Sequence, residues 1–172
     1  MITIYSDLDG VIFDFMTPYK KLLGEWEVAQ KDKNFTSAVY DHKIFETLEL
    51  LPHARNYLKM LDEYTEYPFI NVEILSSTAS AKDVEQQKEV VRQKNLCLLK
   101  YGIPYRGNFT IHKGIKKQFA TPKSILIDDL AINVKEFTDA GGYGILYEDG
   151  MDLSIIHNVV REVIQKENVG IY

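Results

Sequence analysis

The sequence predicts an α/β fold in which a parallel sheet is covered by helices on both faces, and three observations carry that reading. Short apolar, β-branched runs alternate with longer stretches of helical periodicity, and joining parallel strands through helices requires right-handed crossovers. Polar clusters follow the first, second and fourth of these runs, and open parallel sheets bind ligands at the carboxyl ends of their strands. Internal repeats, low-complexity tracts and obvious flexible linkers are absent from the sequence.

Ile2 to Tyr5 is apolar and β-branched, with Gly10 soon after, and predicts a first buried strand. From about Met16 to Glu49, Tyr19, Trp26, Phe35, Tyr40 and Phe45 are scattered among charges without a strand-like run. That stretch predicts a mostly helical insertion over residues 16–50, received by a core made of 1–15 and 51–172. Pro52 opens a helix in which Ala54, Tyr57, Leu58, Leu61 and Tyr64 recur at helical spacing. "INVEIL", Ile70 to Leu75, is the second strand and ends at the hydroxyl-rich "SSTAS". Ala81 to Tyr101 predicts an amphipathic helix with an apolar stripe at Val84, Val91 and Leu98, stopped by Gly102. Phe109 to Ile111 is a short third strand, and a lysine-rich helical stretch runs from about Lys113 to Ala120. Ser124 to Ile127 is the fourth strand, ending at Asp128 and Asp129. Val134 to Ala140 is a helix stopped by Gly141 and Gly142, and Tyr143 to Tyr147 is the fifth strand. The last helix carries Leu153, Ile156, Val160 and Val163.

A chain of 172 residues fits one domain with a small insertion and can bury a proper core. Its net charge of −5 argues against a nucleic acid polymer as partner, since phosphate-backbone binding needs a lysine and arginine excess. One cysteine, Cys97, excludes an intrachain disulfide and fits a reducing compartment. No apolar run approaches the roughly twenty residues that span a bilayer, so no membrane partner is expected. The first residues enter a strand directly, without a basic region or signal core, and the expected location is cytoplasmic. A homodimer is left open.

Asp7, Asp9, Asp128 and Asp129 would converge at one sheet edge, where four carboxylates repel unless something positive joins them. Hard oxygen ligands of this kind suit a magnesium ion, which keeps several waters and takes few protein carboxylates. Ser76 and Ser77 offer hydroxyls and backbone N–H groups near a helix N-terminus, a favourable place for an anion. With one lysine from the basic stretch, these groups describe a phosphoryl-transfer site.

The motifs also carry a family resemblance. "DLDGV" resembles motif I of the haloacid dehalogenase-like (HAD) superfamily, "ILSS" its motif II, and "LIDD" followed by Asn133 its motif IV. "DLDGVIFDF", the insertion directly behind it and the proline-led "LLPHARNYLKML" resemble the 5'(3')-deoxyribonucleotidases of the cytosolic and mitochondrial type. The likeness runs through nearly the whole chain in order and spacing, although the insertion matches only in position and general character. It implies a HAD-like Rossmannoid three-layer sandwich with a small helical cap after motif I, and magnesium-dependent hydrolysis of a small phosphomonoester. It further implies that Asp7 attacks phosphorus to form an aspartyl-phosphate. Asp9 would protonate the leaving oxygen and then activate water. Residues two apart on a strand point to one side, which would let both acids face one substrate. Magnesium would be held by the Asp7 side chain, the Asp9 backbone carbonyl and Asp129, with Asp128 binding directly or through water. Ser76 and Ser77 would hold phosphate oxygens. Lys116 is the choice for motif III, because "KKQFA" fits a K-x-x-[FY]-A pattern, with Lys113 and Lys117 as alternatives.

Plainer readings stand beside these. Asp7 and Asp9 are also residues that cap or turn after a strand, and Ser76 and Ser77 also suit a helix cap. The lysines at 113, 116, 117 and 123 form, as a group, a solvated face. Asn133 supports a loop, and Asp14 hydrogen-bonds the entry to the cap. Trp26, Phe35 and Tyr40 are read as the cap's own core rather than a base-stacking pocket. The histidines at 42, 53, 112 and 157 lack ligand spacing and are read as structural. Competing functions are a phosphatase for a sugar phosphate or other metabolite, a receiver-like phospho-acceptor module, a non-catalytic interaction protein, and a sugar transferase using D-x-D. A receiver would carry its acid pair after the first strand, where this chain has D-x-D instead.

Overall fold

The structure, a computed structural model, describes residues 1–25, 31–111 and 113–167. Trp26 and His112 lie outside the described residues, as does the side chain of Lys113. Five strands form one sheet: β1 (Ile2–Ser6), β2 (Ile70–Ser77), β3 (Arg106–Thr110), β4 (Ser124–Asp128) and β5 (Tyr143–Leu146). They are all parallel, in the order β3-β2-β1-β4-β5. Six α-helices are described: α1 (Met16–Glu25), α2 (Lys31–Tyr40), α3 (Ala54–Thr65), α4 (Val84–Lys100), α5 (Ala131–Asp139) and α6 (Ser154–Lys166). The lysine-rich stretch before β4 is a 3₁₀ helix over Lys113–Phe119.

β1 is central, with Ile4 opposite Val72 of β2 and opposite Ile125 of β4. Alternate residues serve opposite faces, as a strand requires. Ile2, Ile4, Ile74, Ile125 and Ile127 join the main core with Tyr57 and Leu61 of α3 and with Ile156 and Val160 of α6. Tyr5, Leu75 and Leu126 belong to a smaller cluster with Phe137 of α5 and Phe119. Strands buried on both faces read as continuous apolar runs, and "SILID" of β4 is buried at every residue.

α4 departs from its expected pattern. Val84 is 61% exposed, and the buried face is Gln86, Val90, Gln93, Lys94, Cys97 and Leu98. That face is polar because it docks the segment between β1 and α3. Gln93 donates to the Val39 carbonyl and accepts from the Phe45 N–H, and Gln86 donates to Thr36. The chain enters and leaves that segment side by side, with Leu51 N–H bonded to the Ile12 carbonyl and Asp14 N–H to that of Glu49.

Candidate active site

The three strands that end in polar clusters, β2, β1 and β4, are neighbours, so their carboxyl ends form one patch. The sheet order reverses at β1, the point where such sheets bind ligands. The Asp7 N–H bonds the Ile127 carbonyl at 2.9 Å and so ties the residue after β1 to β4. Gly10 has φ +81°, and a Cβ there would lie 2.2 Å from Asp129 Oδ2. Only glycine permits both the left-handed backbone and this approach of the first loop to the acid pair.

Asp7, Asp128 and Asp129 each present a carboxylate oxygen within 4.8 Å of the others. Lys116 projects from the 3₁₀ helix between them, its ammonium 2.7 Å from Asp7 Oδ2 and 2.6 Å from Asp128 Oδ2. Lys117 pairs with Glu136 at 3.6 Å, and Lys123 with Glu167. Asp7 Oδ1 accepts from the Leu8 N–H at 2.7 Å. Asp128 is fully engaged: beside Lys116, it accepts from the Leu130 N–H and, through both oxygens, from Asn133. Asn133 therefore braces an acid of the cluster. Asp129 stands less enclosed, at the mouth of the patch.

The sequence reading missed one residue here, Lys94 of α4. Its ammonium lies 2.7 Å from Asp9 Oδ2, 2.8 Å from the Ser77 carbonyl and 3.0 Å from Ser76 Oγ. Ser76 is buried, while the Ser77 hydroxyl accepts from the Ala79 N–H at 3.3 Å. Asp9 is tied through Oδ2 alone, and its Oδ1 is buried without a hydrogen-bond partner.

Burial pushes every acid here upward, and local charge separates them. For Asp7 burial is outweighed by the ammonium groups of Lys116 and Lys94 with hydrogen bonds from Lys116 and Ser76, which hold it below the ordinary carboxylate range. Asp9 is raised, since burial and the Asp7 charge exceed what Lys94 offsets. Burial and the Asp7 charge also raise Asp128 against Lys116. Asp129 is pushed up to about 7 by burial and by the charges of Asp7 and Asp128. Burial opposes the charge of Lys116, yet Asp7 and Asp128 hold its pKa above the usual value. Asp7 and Asp9, two residues apart, are thus shifted in opposite directions, Asp7 down and Asp9 up.

The remaining candidates lie elsewhere. Asp14 accepts from the Thr17 N–H at the start of α1. Phe35 is buried edge-on to Tyr19 and Phe45, and Tyr40 is exposed. His53 pairs with Asp149, and His157 with Tyr64.

No known protein family's profile matches the chain, and no curated protein matches it in sequence. Solved structures do. A dehalogenase superposes with a TM-score of 0.56 at 12% identity, over 92% of this chain and 96% of that one. A Thermotoga maritima protein assigned as a beta-phosphoglucomutase gives 0.50 at 15% identity, over 95% and 100%. A HAD family enzyme of Bacteroides thetaiotaomicron, an aspartate-to-alanine variant in complex with magnesium and inorganic phosphate, gives 0.50 at 13%, over 91% and 98%. The fold is haloacid dehalogenase-like. At these identities the likeness carries the HAD-like fold and leaves the chemistry to the site itself. The strand order, β3-β2-β1-β4-β5, differs from the 2-1-3-4-5 order of receiver-type sheets. Among the described residues, no helix is long and apolar enough to cross a membrane.

Proposed function

We propose that this chain is a magnesium-dependent phosphomonoester hydrolase of the HAD superfamily, working through an aspartyl-phosphate on Asp7. One observation carries the reading: Asp7 is buried and held by Lys116 beside Asp128, two residues from Asp9, and the two acids are shifted in opposite directions, Asp7 down and Asp9 up.

An Asp7 oxygen attacks phosphorus, and the ester oxygen departs with the proton of Asp9. Asp9, now ionised, takes a proton from water as that water attacks the phosphoryl group, which frees phosphate and restores both acids. Lys116 has two of its three N–H groups on Asp7 and Asp128 and can direct the third at a phosphate oxygen. Ser76 and Ser77 are assigned to the remaining phosphate oxygens.

The donor set suits magnesium. Asp7, Asp128 and Asp129 bring carboxylate oxygens within 4.8 Å of one another, and with Asp9 protonated or ionised the two ammonium groups, Lys94 and Lys116, leave the cluster net negative for a cation. Asp7 and Asp129 would hold it, with the Asp9 carbonyl. Asp128, saturated by its own hydrogen bonds, would reach it through water. Bound there, magnesium supplies positive charge to the phosphate oxygens.

The substrate class we favour is the deoxynucleoside monophosphates, as for a 5'(3')-deoxyribonucleotidase. Support comes from the "DLDGVIFDF" opening and from a cap of only two described helices, α1 and α2, suited to closing over a small molecule. A phosphate-release screen tests this, with deoxynucleotides, ribonucleotides and sugar phosphates assayed in magnesium and in EDTA. The highest kcat/KM on deoxynucleotides supports the full reading. A preference for sugar phosphates replaces the substrate and keeps the reaction, whereas no release from any ester refutes the hydrolase.

A further inference from the structure

Two lysines are buried among the acids, and they spend their hydrogen bonds differently. The Lys94 side chain is 2% exposed, and its ammonium has three acceptors at 2.7, 2.8 and 3.0 Å: Asp9 Oδ2, the Ser77 carbonyl and Ser76 Oγ. An ammonium group donates three hydrogen bonds and accepts none. Lys94 is therefore saturated and has nothing left for a phosphate oxygen, in contrast to Lys116. Its position is fixed from outside the site as well. It rises from α4 next to Gln93, which binds Phe45 N–H and the Val39 carbonyl, and its ammonium sits 4.8 Å from the centre of the Phe45 ring.

We infer that Lys94 is a positioning residue for Asp9, which makes the two oxygens of that carboxyl inequivalent and reserves Oδ1 for the leaving group. The inference rests on the hydrolase reading above. Because Lys94 can only donate, Oδ2 must accept, and a proton on Asp9 belongs on Oδ1. Oδ1 is the buried oxygen without a partner, so the ester oxygen of a substrate would be its first. The same lysine reaches Ser76 Oγ and the Ser77 carbonyl, both at the end of β2. Lys94 thus ties the proton donor to the end of β2, the strand paired with β1, behind which the nucleophile sits. In the first step, a bond forms from Asp7 to phosphorus, the bond from phosphorus to the ester oxygen breaks, and the Oδ1 proton passes to that oxygen. Release of an alkoxide needs this proton; release of p-nitrophenolate does not.

Lys94→Met, measured before steady state in magnesium buffer, separates positioning from general support. With p-nitrophenyl phosphate, the burst of p-nitrophenolate should slow by no more than about tenfold, while alcohol release from an alkyl phosphate in a single turnover falls about 10²–10³-fold. Asp9→Asn should give the same split, and the double variant no further loss. Equal losses on both esters, or a loss confined to KM, would overturn the inference. If Lys94→Met no longer binds beryllium fluoride, and so has lost the site, the unaltered protein crystallised with magnesium and beryllium fluoride decides. Lys94 on Asp9 and the Ser77 carbonyl upholds the assignment, and Lys94 on a fluorine atom overturns it. An unaltered protein inert towards both esters contradicts the hydrolase reading, and with it this inference, before any variant is made.

Discussion

Asp129 shows what four carboxylates at one sheet edge cost. Its acid is pushed up to about 7 by burial and by Asp7 and Asp128, so its charge opposes folding when no cation joins it. Asp129→Asn should therefore raise the melting temperature in EDTA at about pH 8 and abolish the rise that magnesium produces. Differential scanning fluorimetry checks both, and an undiminished magnesium response would remove Asp129 from the ligand set. Ala79 sits at φ +56° just behind β2. A left-handed conformation costs a non-glycine residue roughly 1–2 kcal/mol, and glycine returns about 0.4–1 kcal/mol of that in unfolded-state entropy. Ala79→Gly should stabilise the chain by up to about 1 kcal/mol in urea unfolding. At this scale the sequence was legible where chemistry sits at strand ends. Asp7, Ser76, Asp128 and Asp129 close or follow apolar runs, and their convergence follows from parallel pairing alone. Lys94 carries no such mark. It lies in a helix with Lys88, Arg92 and Lys100, where a solvated lysine is the ordinary reading.

α4 is the element whose role was hardest to read. Apolar periodicity points to Val84, Val91 and Leu98, and of these only Leu98 belongs to the buried face, which runs through Gln86, Val90, Gln93, Lys94, Cys97 and Leu98. Those positions keep helical spacing, so a search for any periodic residue type, rather than apolar ones, would have found the face. The polar ones each meet a polar partner: Gln93 the Phe45 N–H and Val39 carbonyl, Gln86 the Thr36 hydroxyl and Lys94 the Asp9 carboxyl. Gln93→Ala should cost about 1–3 kcal/mol in urea unfolding, because it strands that buried donor and acceptor. A loss below a few tenths would mean that water replaces the amide. The strands were easier, since runs buried on both faces are apolar throughout. β3 was read as Phe109 to Ile111 and begins at Arg106, because an edge strand is exposed and carries "RGN" without an apolar signal.

The whole molecule joins a one-hand sheet to a charge balance. Parallel pairing around β1 gathers acids that are distant in sequence, and the two lysines leave them net negative. The pH dependence follows. With the Asp129 pKa raised from 3.8 to about 7, the folded chain binds more protons than the unfolded chain within that window. Stability in EDTA should therefore fall as pH rises through it. Magnesium held by Asp129 would displace that proton, so its increment in melting temperature should be larger at about pH 8 than at about pH 5.5. An increment independent of pH would contradict the assigned ligands. What the segment between β1 and α3 would recognise was not legible, because side-chain packing within a short helical insertion has no fixed sequence pattern. The central claim concerns one bond, from Asp7 to phosphorus. Rapid mixing with p-nitrophenyl phosphate, a borohydride quench and peptide mapping should find residue 7 reduced to homoserine, the product of a trapped aspartyl-phosphate. Hydrolysis that proceeds with Asp7 unmodified, or with the label on another residue, would contradict it.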